Sequence, residues 1–442
     1  MTIMFDQLFI KTQEFSKLAQ ALGTSGACAL FGIPAAGRAM VYAALARQTG
    51  APLCIVTPGE AEATRFAGDL NVLGIPAAVF PARDYLLRPI EGTGREYEYR
   101  RLSVLGDLVG GRLRAVCVPE EALTQYTTPR ADFCANTRTL HAGDTLQREE
   151  LTALLYSAGY TRRAQVDGPG QFSVRGDIVD IYAPDMKQPV RMEFWGDEID
   201  TLHTFDLATQ RRDESITKIY VSPAREVLCG APPEAAELLR AFLKKQRGKK
   251  RTALESCLAP ELSQLDAGVM PVNMDKYLAV RYPEPATVLD YLDEPLLIFE
   301  EPASLKEAQR AADFRRGEEQ AALLQDGVLA AGLGELYADA AWLWAQTGRY
   351  PTICAENFVR SMPDIPLKAV VNAPAHTLPS WAGEVAALLE DLNPLCSGGA
   401  AVTVMAGTAR AAAGLANDLR THGLQVTTDA AAAPAAGLVQ VL

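Results

Sequence analysis

Between residues 26 and 120, short apolar runs alternate with amphipathic stretches. The runs ACALF (27–31), APLCIVTP (51–58), AAVFPA (77–82) and LRAVCVP (113–119) carry almost no polar position. Strands that read this way are buried on both faces, as in a parallel sheet. The stretches AMVYAALARQ (39–48), EAEATRFAGDLNVLG (60–74) and EYEYRRLSVLGDLVGG (96–111) have helical spacing instead. The pattern therefore predicts an α/β domain, a parallel sheet with helices on both sides. The rhythm breaks near Pro129. Residues 132–222 hold one helical pattern, LQREELTALLYSAGY (146–160), followed by short alternating strands and tight turns, a small α+β insert. Helical pattern returns at PPEAAELLRAFLKKQ (232–246), and EPLLIFEEP (294–302) reads as another buried parallel strand. The insert thus interrupts a domain that is completed after it. A helical stretch from Ser304 to about Thr347 follows. A new βαβ unit then runs through LKAVVNAP (367–374), WAGEVAALLEDL (381–392), AVTVMAG (401–407), RAAAGLANDLRTHG (410–423) and LQVT (424–427). The predicted segments are 1–130, 131–222, 223–347, and a second small α/β domain at 348–442. The strand GLVQVL ends with the chain and has no polar tail, which leads us to expect a fragment of a longer protein.

Composition narrows the classes. At 442 residues with net charge −12, the chain is globular and lacks the cationic excess of a DNA-wrapping protein. The start TIMFDQLFIKTQEFSKLAQAL (2–22) is amphipathic rather than a signal peptide, and no apolar run reaches membrane-span length. Eight cysteines show no CxxC pair, and His141, His203, His376 and His422 lack metal-ligand spacing. Buried free thiols in a reducing cytoplasm, with no metal and no membrane, are expected. KKQRGKKR (244–251) is the one dense basic run, read as a solvated helix end with nucleic-acid contact as the alternative.

Two stretches carry chemistry. In LFGIPAAGRAM (30–40), Gly32 and Gly37 have the spacing of a phosphate-binding loop, but Arg38 replaces its lysine and Ala39 its magnesium-binding hydroxyl. Pro34 also removes a backbone N–H. In RMEFWGDEIDTLHTF (191–205), Gly196-Asp197 reads as a two-residue hairpin turn with glycine first. That register sets Phe194 against Ile199 and Met192 against Thr201 on the core side. Arg191, Glu193 and Trp195 then face outward, opposite Leu202, Asp200 and Glu198. An outward tryptophan beside an arginine either covers a neighbouring domain or docks a partner.

The strings RGDIVDIY (175–182) and RMEFWGDEID (191–200) resemble the UvrB-homology module shared by the repair protein UvrB and the transcription-repair coupling factors. FDLATQR (205–211) and PARDYLLRPIEG (81–92) are similar to the coupling factors, and the layout resembles their amino-terminal third. The resemblance implies a degenerate, UvrB-like P-loop NTPase fold whose insert docks UvrA, the damage-recognition ATPase. Arg175, Arg191 and Trp195 match that docking surface, Trp195 being larger than the usual phenylalanine. Asp197, Glu198 and Arg211 are further candidates for it, with a solvated hairpin tip as the other reading of the two acids. Glu300 and Glu301 fall where UvrB has the Walker B acid pair of its ATP site, followed at once by Pro302. A non-catalytic adaptor in nucleotide excision repair is implied, with ATP and magnesium confined to motor domains elsewhere. There the parent would translocate on double-stranded DNA, engage stalled RNA polymerase and contact this region intramolecularly. UvrB's aromatic DNA-inserting hairpin has too few residues here, in 88–102, which makes Tyr97 and Tyr99 helix-face residues. The alternative is a UvrB-like, ATP-binding, DNA-loading subunit. For the last domain the sequence indicates no role.

Overall fold

The computed structural model describes residues 10, 12–89, 94–373, 383–406, 408–429 and 432–442. Seven strands form one sheet in the spatial order Leu367–Asn372, Gly26–Phe31, Pro351–Glu356, Leu296–Glu300, Leu53–Thr57, Ala115–Pro119 and Ala77–Val79. Every neighbouring pair is parallel. Side chains alternate between two cores, as the strand pleat requires. Leu30, Ile55, Ile298 and Ile353 enter one core, against the helices Ala35–Thr49 and Glu60–Val72. Phe31, Val56, Leu297 and Phe299 enter the other, which also holds Leu102 and Leu105 of the helix Glu96–Val109. Burial on both faces accounts for the unbroken apolar runs.

The boundary expected at 348 is corrected. Pro351–Glu356 and Leu367–Asn372 flank Gly26–Phe31 in the main sheet and belong to the first domain. The first strand is buried from Ala27 to Phe31 and needs a paired neighbour on each side. The separate unit begins after residue 372. It is a three-stranded parallel sheet, Val402–Val404, Leu438–Val441 and Gln425–Thr427, with the helices Val385–Ser397 and Ala409–Thr421 around its own small core. The helical stretch expected from 304 to 347 is two helices, Pro302–Gln325 and Ala340–Arg349. Gly327, Gly332 and Gly334 break it, each with positive φ. Of the amphipathic start, Gln13–Ala21 is helical and capped by the Thr12 hydroxyl, while residues 1–9 and 11 lie outside the described residues.

The insert is a six-stranded sheet plus the helix Arg148–Ser157. Its base is closed by its own entry and exit strands, Arg138–His141 and Lys218–Val221, paired antiparallel. The helices Pro232–Lys244 and Gly248–Asp266 form a further core with Tyr85 and Leu87. The basic run 244–251 is the exposed junction of these two helices. Tyr97 is 48% exposed on the helix Glu96–Val109, and Tyr99 donates to the Pro169 carbonyl at 2.9 Å. Residues 90–93 of the interval before that helix lie outside the described residues.

A buried ionic network joins sheet domain, insert and helical half. Arg83 grips Asp275 at 2.7 and 3.3 Å and reaches Glu226 at 3.2 Å. Arg101 holds the same Glu226 at 2.6 and 3.2 Å, and Glu98 accepts the Glu226 backbone N–H at 3.0 Å. All five side chains are buried. Removing one member leaves an uncompensated charge without water, so Arg83→Ala should cost ~3–5 kcal/mol of folding stability. Arg100→Ala, which breaks the exposed pair with Glu60 at 3.5 Å, should cost under ~1 kcal/mol. Urea unfolding midpoints of the two variants check the contrast, and equal midpoints would refute it.

Candidate functional site

The hairpin Val190–Trp195 with Glu198–Phe205 forms the tip of the insert. Gly196 has φ 65° and no other turn residue a positive φ, as a glycine-first turn requires. The pairing beyond the turn differs from the sequence-based register. A bulge at Asp200 sets Glu193 against Thr201, Met192 against Leu202 and Arg191 against His203. Ile199 and Leu202 are three residues apart, so strict alternation would put one of them in water. One extra residue lets both enter the core. The segment 143–146 pins the hairpin's flank: Leu146 N–H donates to the Asp197 carbonyl at 2.7 Å and Ile199 N–H to the Asp144 carbonyl at 2.9 Å.

Trp195 is 82% exposed on this fixed tip, and Asp197, Glu198 and Arg211 are exposed as well. The two outer-face arginines differ from each other. Arg191 lies over the Phe205 ring at 4.6 Å and donates twice to Asp180, at 2.7 and 3.0 Å. It also donates to the Gln210 carbonyl and side-chain oxygens, at 3.2 and 3.3 Å. Its side chain is 12% exposed, so the outward-facing Arg191 of the sequence reading is corrected to a mostly buried brace. The hydrogen bonds to Asp180 raise its pKa above the ordinary arginine value. Arg175 donates to Asp180 at 2.6 Å from a side chain 45% exposed, which leaves part of its fork available. Sequence reasoning missed Asp180, the fully buried carboxylate that orders both arginines. Its signal was an acid between Val179 and Ile181 on a strand whose outer face carries arginines on either side.

The phosphate-type loop is closed. The helix begins at Ala35, ahead of the expected start at 39, and the Gly37 and Arg38 amides already donate to the Pro34 carbonyl at 2.8 and 3.1 Å. A phosphate cradle needs such amides free. Gly32 has φ 87°, and a Cβ there would fall 2.9 Å from the Ala373 carbonyl oxygen, so acceptor oxygens edge the loop. Gly37 packs on Ile33, where a Cβ would fall 2.9 Å from that side chain, and Ala39 is buried. Arg38, 2% exposed, points inward: its Nη2 lies 3.1 Å from Glu300 and 2.8 Å from Glu301. Arg38 Nε and Nη1 have no protein acceptor, so one nitrogen and the charge of two acids hold it. Tyr42 donates to the other Glu300 oxygen at 2.5 Å. Burial pushes the Glu300 carboxyl up to about 7, against the pull of Arg38. Glu301 starts the next helix at φ 50°, a left-handed conformation costly outside glycine. Among the described residues no group of three or more His, Cys, Asp or Glu could hold a metal, and no helix is long and apolar enough to cross a membrane. His376 lies outside the described residues.

Residues 139–227, the insert, match the family described as the UvrB interaction domain. The transcription-repair-coupling factor of Bacillus subtilis strain 168 is 28% identical over 308 residues, covering 67% of this chain and 26% of that protein. That of Mycobacterium tuberculosis strain CDC 1551 / Oshkosh is 31% identical over 323 residues, 70% of this chain and 25% of its own length. The chain belongs to the transcription-repair coupling factor family. UvrABC system protein B of Chlorobium limicola strain DSM 245 is 26% identical over 300 residues, 61% of this chain and 44% of that protein. This family member spans about a quarter of the length of the coupling factors it matches.

Two predictions follow from the geometry of this family member. Arg191→Ala strands Asp180 with Arg175 alone and should cost about 1–3 kcal/mol, whereas Trp195→Ala should leave stability within about 0.5 kcal/mol. Denaturant unfolding distinguishes a brace from a free anchor. Glu300 binds its proton more tightly folded than unfolded, since its value rises from 4.5 to about 7. Its contribution to stability is therefore full below pH 4.5 and lost as pH climbs to about 7. Glu300→Gln should gain on the wild type across that window in thermal melts; a pH-independent difference would contradict the assignment.

Proposed function

We propose that this chain is a non-catalytic adaptor that recruits UvrA during transcription-coupled nucleotide excision repair in the cytoplasm. The observation that carries the reading is Trp195, 82% exposed on a pinned hairpin inside the segment that matches the UvrB interaction domain. Trp195 is the anchor and Arg175 offers its remaining fork to an acidic group on UvrA. Arg191 acts indirectly, holding Asp180 and the outer face in place. Asp197, Glu198 and Arg211 form the rim. Aromatic and arginine anchors of this kind dominate binding energy at interfaces.

The body has no nucleotide role in this reading: Arg38 is neutralised by Glu300 and Glu301, and the loop amides serve the helix. ATP-dependent translocation on double-stranded DNA and contact with RNA polymerase fall to parts of a full-length relative that this chain does not span. Those parts would also contact this region intramolecularly.

Capture of purified UvrA on the immobilised chain tests the docking surface. Trp195→Ala should weaken binding by ~2–4 kcal/mol and Arg175→Ala by about 1–2. Undiminished capture by both variants removes the surface assignment. Calorimetry with Mg-ATP tests the body: the expected outcome is no binding tighter than about millimolar. Tighter binding, abolished by substitution at Arg38, would restore a UvrB-like ATPase.

A further inference from the structure

Where the insert meets the helical half, a cavity of about 380 Å³ opens between residues 159–163, 225–230 and 268–272. Four arginines line it, Arg95, Arg162, Arg163 and Arg225, in a chain of net charge −12. Arg95 and Arg225 share the buried Glu98, at 2.7 and 3.7 Å. Arg225 Nη1 is nonetheless buried without a hydrogen-bond acceptor. Arg162 and Arg163 are exposed, and among the described residues neither guanidinium has an acidic partner. Asp275 is the only carboxylate among the described lining residues, and Arg83 already holds it at 2.7 Å. Cationic donors therefore exceed the acceptors within reach.

The floor is of a different kind. Val269 and Val272 are 55% and 41% exposed there, beside Met270. The shape is set from within: Arg95 donates to the Val272 carbonyl at 2.5 Å, tying the floor to the sheet domain. Arg225 lies flat on Gly159 (φ 83°), where a Cβ would fall 2.8 Å from its Cγ. Guanidiniums lining one cavity suit the several acceptor oxygens of a phosphate, and an exposed apolar floor suits a flat body attached to it. The volume lies within the range of small-ligand sites.

We propose that this cavity binds a phosphate-bearing ligand with a flat apolar body, a nucleotide either free or within a single strand. Arg162 and Arg163 hold the phosphate, and the turn 269–272 carries the base. The site is independent of the hairpin tip and of the closed loop at Arg38.

Fluorescence anisotropy with a dye-labelled thymidylate oligonucleotide, without magnesium, tests it on the full chain. Salt-dependent binding should weaken at least about tenfold in the double variant Arg162→Glu/Arg163→Glu. Milder replacement of both by alanine should lower the slope of log affinity against log salt by about 1.4, two contacts' worth. Val272→Glu, on the floor, is the second variant and should also weaken binding. Displacement by thymidine monophosphate at equal nucleotide concentration identifies a free nucleotide as the ligand; displacement by oligonucleotide alone identifies a strand. The proposal is overturned if nothing binds tighter than about millimolar. It is equally overturned if variants with wild-type unfolding midpoints bind as the wild type does, or if polyglutamate displaces the probe and thymidylate does not.

Discussion

The buried contact of Arg83 and Arg101 with Glu98, Glu226 and Asp275 is the constraint on which the rest of this structure depends. The five ions come from four stretches: Arg83 from the loop after the short edge strand, Glu98 and Arg101 from the helix behind it, Glu226 from the exit of the insert, and Asp275 from the helical half. Apolar packing alone would tolerate small slides between these parts. Paired forks inside a dry junction do not, because a misplaced charge there costs several kcal/mol. The same junction sets where the insert leaves the sheet domain, and so where its hairpin stands and how wide the arginine-lined cavity opens.

A second constraint operates at the ends of the central strands. Glu300 and Glu301 sit where a parallel sheet offers its usual ligand crevice, yet their partner is the chain's own Arg38. Cation and acids form a closed circuit together with Tyr42, and the loop amides have been drawn into the helix. Arg38 turns inward, the two acids serve as its counter-ions, and Ala39 beside it in sequence is packed into the core.

Much of this was legible in the sequence. Apolar runs without alternation located the central strands because each is covered on both faces, and the glycine-first turn located the hairpin. PTICAE (351–356) went unread because its neighbours in space are distant in sequence, so nothing local marked it as the strand beside Gly26–Phe31. The bulge at Asp200 escaped for a related reason: it answers to the burial of Leu202, which only the sheet beneath reveals. Arg191 looked like an outward group because a strand's pleat gives a face and not a depth. Asp180 on the adjacent strand and Gln210 beyond the hairpin make that face deep enough to cover it.

The neck of the insert has a mechanical consequence. Its two strands run in opposite directions, but both cross between body and insert at the same level, His141 beside Lys218 and Arg138 beside Val221. A pull on the tip would stretch the two together, with no shear between them, and leave the ladder that joins them unloaded. Tension would instead pass down the outgoing strand, through Ser222 to Arg225, and arrive at Glu226, where two guanidiniums hold the same carboxylate oxygen. The joint that sets the insert's position is thus also the anchor against which any force on it is borne.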